Sequence, residues 1–150
     1  MTIPTSNSDM RARTCVPLIS PEQAAEIRRS WQLVAPIADE VAELFYARLF
    51  ELDPTLRTLF HTEPAVQRRK LMDSLTFIVT RADRPNELVP MLAALGERHV
   101  RYGVRAEHYV TVGEALLWTL DEGLGALHTT EARDAWVATY EFVSAAMGGG

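Results

Sequence analysis

The sequence has 150 residues, 47% hydrophobic and 23% charged, with a formal net charge of -5 and one cysteine. That length suits one domain with a sizeable core and excludes a two-domain cofactor enzyme, and a lone cysteine excludes an internal disulfide or a cysteine metal cluster. No run of about 18 apolar residues is present to span a membrane, and the acidic balance argues against binding nucleic-acid phosphates.

Residues 1–19 are polar, contain proline and lack helical periodicity, so they read as a flexible arm carrying an exposed Cys15. The arm has no apolar core of the kind a secretory signal needs, which implies a cytoplasmic protein. Residues 20–150 form the domain. Ser20-Pro21-Glu22-Gln23 sets an N-cap serine, a proline at the first helical position and a glutamine that completes a capping box. The helix it opens runs to about Val34, with Ile27, Trp31 and Val34 on one face.

Pro36 opens a second helix that ends at Asp53-Pro54. It is apolar almost all round, through Val41, Ala42, Leu44, Phe45, Tyr46, Leu49 and Phe50, and so belongs between other elements. Asp53 to Phe60 reads as a short helical corner. From about Glu63 a helix follows, its stripe made by Leu71, Leu75, Ile78 and Val79, and the Asp83-Arg84-Pro85-Asn86 cluster breaks it. Another helix carries Leu88, Leu92, Leu95 and then His99, ending near Tyr102-Gly103. The last two helices span about Ala106 to Leu127 and Thr130 to Met147. With no convincing two-residue alternation, the fold class is all-α.

Of four histidines, His61, His108 and His128 read most simply as surface residues. His99 continues the Leu88, Leu92, Leu95 stripe and so points where the core points. On the residues alone two readings stand, a satisfied core histidine and a ligand. A buried imidazole needs partners for both nitrogens, since leaving one unsatisfied costs about 1–3 kcal/mol. A haem iron supplies one, and the Leu95 carbonyl, one turn earlier, can take the other N–H. Gln67, one turn before Leu71, and Tyr46, within the most apolar helix, also bring polar groups to inward faces. Three such groups point to a lined cavity whose ligand both coordinates metal and accepts hydrogen bonds.

These residues resemble the globin family, most closely bacterial single-domain haemoglobins and the haem domain of flavohaemoglobins, from Ser20 to Met147. The resemblance rests on Leu44-Phe45-Tyr46-Ala47-Arg48-Leu49-Phe50, the corner from Asp53-Pro54 to Leu59-Phe60, and Gln67-Arg68-Arg69-Lys70-Leu71. Later come Gly96-Glu97-Arg98-His99 through Val104, and Glu107-His108-Tyr109 through Leu117. It implies a globin fold around haem b, with His99 as the proximal iron ligand and Phe60 packed on the porphyrin. It further implies Tyr46, Gln67 and Leu71 as the distal set, Tyr109 as a proximal-side tyrosine, and Leu95 and Val104 in the pocket wall. Lys70 reads either as the partner of a haem propionate or as a solvated lysine. The implied function is reversible binding of oxygen and other diatomic ligands such as NO and CO, for transport, storage or sensing. The alternative is a nitric oxide dioxygenase that depends on Tyr46, Gln67 and an external reductase. The acid that works with the proximal tyrosine in flavohaemoglobins falls past Met147 by alignment, and no flavin- or nicotinamide-binding domain follows. Both favour binding over self-sufficient catalysis. Monomer and homodimer are both open, and Trp118, lying off the main stripe of its helix, is a candidate dimer contact.

Overall fold

The computed structural model describes residues 18–148, and the expectations about the N-terminal arm and Cys15 fall largely outside the described residues. Six α-helices follow in order: α1 (Pro21–Val34), α2 (Ala38–Leu52), α3 (Pro64–Thr80), α4 (Pro85–Arg101), α5 (Ala106–Leu124) and α6 (Thr130–Met147). Short 3-10 turns at Ala35–Ile37, Pro54–Leu59 and Gly125–Leu127 complete them, and no strand occurs among the described residues. The fold is all-α, as the helical periodicity predicts.

Local chemistry starts and stops these helices where the sequence places the signals. Ser20 accepts from the Gln23 N–H at 3.1 Å, and Gln23 Oε1 accepts from the Ser20 N–H at 2.9 Å, closing the capping box reciprocally. Pro36 falls in the 3-10 turn, so α2 begins two residues later than the proline signal predicts. Asp53 caps the next turn through the Thr55 N–H at 3.1 Å, and the Thr55 hydroxyl donates to the same oxygen at 2.6 Å. These two bonds hold its carboxyl below the usual carboxylate range. The helical pattern read through Leu127 breaks at Gly125, which takes a positive φ of 53° before the last 3-10 turn.

Packing pairs α1 with α6, α2 with α5, and α4 with α6. Between α1, α3 and α6 the two core tryptophans stand 6.0 Å apart. Trp136 donates to Ser30 Oγ at 3.0 Å and Trp31 to Thr76 Oγ1 at 3.0 Å, so neither indole N–H is left dry. The α4–α6 crossing depends on Gly96. A Cβ there would lie 2.0 Å from the Met147 carbonyl oxygen, so only glycine lets the two backbones touch. That contact anchors α4 one turn before His99.

Two expectations about histidines are corrected. His108 is buried at 7% exposure because its Nδ1 accepts the Arg105 N–H at 2.9 Å, folding the ring back over the helix start. The His128 side chain is 2% exposed, packed beside Asp121 with Nε2 3.4 Å from the carboxylate. Burial holds its pKa below the usual histidine value, against the opposing pull of Asp121. Trp118 is half-buried, and the Arg48 guanidinium lies 4.7 Å over its ring.

Candidate functional site

A cavity of about 590 Å³ opens among α2 to α6 and the corner after α2. It lies within the range of about 300–1,000 Å³ typical of small-molecule and cofactor sites. All nine residues expected at the site line it. Tyr46 comes from α2, Phe60 from the corner, and Gln67, Lys70 and Leu71 from α3. Leu95 and His99 come from α4, with Val104 and Tyr109 from the turn into α5 and its first turn.

The hydrogen bonding of His99 fixes its chemistry. Nδ1 lies 2.9 Å from the Leu95 carbonyl oxygen. A carbonyl can only accept, so Nδ1 carries the proton and donates, leaving Nε2 with a bare lone pair in the neutral ring. An imidazole oriented this way by a backbone carbonyl is the ordinary state of a metal-ligating histidine. Among the described residues no three His, Cys, Asp or Glu side chains converge. A single histidine therefore fits a metal that arrives with its other ligands, as iron does in a porphyrin.

Tyr46 and Gln67 form the polar part of the wall. The Gln67 amide donates to the Tyr46 hydroxyl oxygen at 3.2 Å. The hydroxyl accepts this bond, so its own proton stays available to a ligand. Burial raises the Tyr46 pKa, partly offset by the Gln67 bond, which keeps the phenol a proton-bearing donor. Three phenylalanines fix the ring, with centroids at 5.1 Å (Phe45), 5.5 Å (Phe60) and 6.0 Å (Phe50). Leu71, Leu95 and Val104 supply apolar wall, and Lys70 reaches the cavity from an exposed position.

Among the lining residues that sequence reasoning does not assign to the site, two make side-chain hydrogen bonds. Tyr140, which no motif of the sequence singles out, donates its hydroxyl to the Tyr109 carbonyl at 2.5 Å. Its ring fills the space over Gly113, where a Cβ would come within 2.7 Å of Cε2. Burial raises its pKa and that of Tyr109, so both stay protonated. The second is His108, whose only signal was its position three residues after Arg105, where a side-chain acceptor can cap the helix start. All four tyrosines of the sequence line this one cavity. A smaller void of about 80 Å³ adjoins the cavity behind Phe45, Leu71 and Val112, and presents no polar surface.

Comparison with known proteins follows the same lines. The family model described as Globin matches residues 43–147. A flavohemoprotein of Bordetella parapertussis is 33% identical over 126 residues, 82% of this chain and 31% of that protein. The chain thus spans about a third of the length of that relative. A neuroglobin of Chaenocephalus aceratus is 33% identical over 138 residues, 83% of this chain and 87% of that protein. Among solved structures, an engineered carbene transferase, whose parent is a proposed nitric oxide dioxygenase of Rhodothermus marinus, is 28% identical. It superposes with a TM-score of 0.74 over 84% of this chain and 88% of its own.

Proposed function

This chain belongs to the globin family, and we propose that its cavity holds haem through His99 and reversibly binds oxygen and other diatomic gases. The observation that carries this reading is the pairing, around one cavity, of a histidine with a bare Nε2 and the Tyr46/Gln67 donor pair. When bound, haem would supply an iron able to take diatomic ligands. The chain's own residues then decide how tightly a ligand is held. Tyr46 O–H, with the Gln67 amide beside it, donates to a ligand that carries partial negative charge, and charge-assisted bonds of this kind are roughly twice as strong as neutral ones. Leu71 and the phenylalanines keep water from competing for the same donors. On the proximal side the Leu95 carbonyl orients His99, and Tyr140 pins the backbone of Tyr109 to α6. Phe60 is the wall residue suited to stack on a porphyrin, and Lys70 can pair with a propionate.

The assignment to haem b, and a cytoplasmic setting, belong to this reading. Among the described residues no helix is long and apolar enough to cross a membrane. A second reading, nitric oxide dioxygenation with electrons from a separate reductase, is favoured by the same Tyr46/Gln67 pair and by the likeness to the engineered carbene transferase whose parent is a proposed nitric oxide dioxygenase. Titration of the purified protein with haemin tests the primary reading. A stoichiometric Soret band that His99→Ala largely abolishes is expected, and a protein that gains no such band refutes it. Single-turnover decay of the oxygenated protein on mixing with nitric oxide, followed by steady-state nitrate formation with a reductase, separates binding from catalysis.

A further inference from the structure

The chain is acidic overall, yet two stretches that contribute to the cavity wall are basic. Residues 64–70 and 98–105 together carry six cations and no carboxylate. Since the chain totals -5, everything outside those stretches carries -11. The first stretch opens α3 and contributes Lys70 to the cavity wall, and the second closes α4 and contributes His99, Tyr102 and Val104. Most arginines elsewhere in the described residues are matched by acids, as in Arg28–Asp83, Arg48–Glu51 and Arg133–Asp121. Within the two stretches Arg68 and Arg105 are matched, by Asp39 and Glu107. Arg69, Lys70, Arg98 and Arg101 are exposed and enter no ion pair among the described residues. Arg98 lies one turn before Tyr102, on the same helix face, and Tyr102 both lines the cavity and is 66% exposed.

We propose that this basic rim is a docking surface for an acidic one-electron donor protein, guiding it to the mouth of the cavity. The proposal rests on the haem reading above. One electron leaves the donor's reduced cofactor and ferric iron becomes ferrous; no bond is made or broken and no proton moves. Steering needs only the charge asymmetry described, which raises association rates by about 10–1,000-fold at low salt. Two propionates would neutralise part of the rim and leave Arg98 and Arg101 facing outward. A protein donor fits better than a lipid surface because the cations flank the exposed cavity residue Tyr102 and adjoin no large apolar face.

The test uses the haem-loaded protein, its R98E/R101E variant, and reduced flavodoxin, an acidic electron-transfer protein. Stopped-flow reduction by flavodoxin at about 10 mM ionic strength should slow by about tenfold in the variant, and the difference should vanish near 0.5 M, where the Debye length is only a few ångströms. Reduction by the cationic hexaammineruthenium(II) should move the opposite way, and reduction by the anionic iron(II)–EDTA complex the same way as flavodoxin. Matching Soret spectra and thermal midpoints of the two proteins show that the haem reading and the fold are intact. Amide shifts on adding oxidised flavodoxin to the haem-free protein should map to residues 98–105, a readout that survives failure of the haem reading. Equal salt dependence in both proteins overturns the proposal. So does tighter binding to phosphatidylglycerol vesicles than to flavodoxin.

Discussion

Replacing Tyr46 by phenylalanine isolates the distal donor. The ring sits among Phe45, Phe50 and Phe60, with centroids 5.1–6.0 Å away, so removing one oxygen leaves the cage filled. The internal bond lost, from the Gln67 amide at 3.2 Å, is long for an N–H···O contact and therefore weak. The main loss is the hydroxyl's own donation to a partly anionic ligand, worth about 1.5–3 kcal/mol for a charge-assisted bond. At 1.4 kcal/mol per factor of ten, Tyr46→Phe should release oxygen about 10- to 150-fold faster. Carbon monoxide, which carries little negative charge, should leave at a nearly unchanged rate. Stopped-flow displacement of oxygen by carbon monoxide, and of carbon monoxide by nitric oxide, with Soret spectra confirming equal haem content, gives the two rates. Oxygen dissociation within about twofold of the parent protein would refute Tyr46 as the donor and shift the role to Gln67.

Gly96→Ala should destabilise the protein, because the new Cβ meets the Met147 carbonyl and the two backbones must separate. An overpacking cost of about 1–3 kcal/mol lowers the thermal midpoint by roughly 3–10 °C at this size, and haem should leave faster as α4 shifts. Ser30→Ala removes the acceptor of the buried Trp136 indole N–H at 3.0 Å and should cost about 1–3 kcal/mol in urea unfolding. The Ser30→Ala and Trp136→Phe costs should be less than additive, since each change removes one partner of the same bond. His128, whose pKa burial lowers, contributes stability that is present above its unfolded value of about 6.5. That contribution is lost as pH falls through the lower folded value, because the unfolded state takes up the proton first. A His128→Gln variant should therefore show a flatter stability profile below about pH 6.5 in chemical denaturation.

Most of the architecture was legible because its signals are local. The Ser20–Gln23 box, the prolines that open α1, α3 and α4, and the Leu88 to His99 stripe each act within one or two turns, and each fixes an observed element. Proximity of Tyr46, Gln67 and His99 followed from three inward faces, and a family resemblance carried the remaining lining residues. What stayed hidden depends on long-range contact. His108 looks polar and exposed in a helix's first turn until its ring turns back onto Arg105. Tyr140 looks like one more core residue, because its partner is a main-chain oxygen 31 positions away and its space is made by a glycine on another helix. His128 is buried by the corner between α5 and α6, whose geometry no residue pattern announces.

The concentration of Tyr46, Tyr102, Tyr109 and Tyr140 around one cavity makes the side chain itself a probe. Because the sequence holds no other tyrosine, a sample isotopically labelled at that residue type alone would give four ring signals, every one from the cavity wall. Shifts in those signals would track entry of a porphyrin, a gas or an inhibitor with no background from the rest of the chain. Tyr102, exposed to solvent, would respond first to a visitor at the mouth, and Tyr46 and Tyr140 only to one that has gone inside.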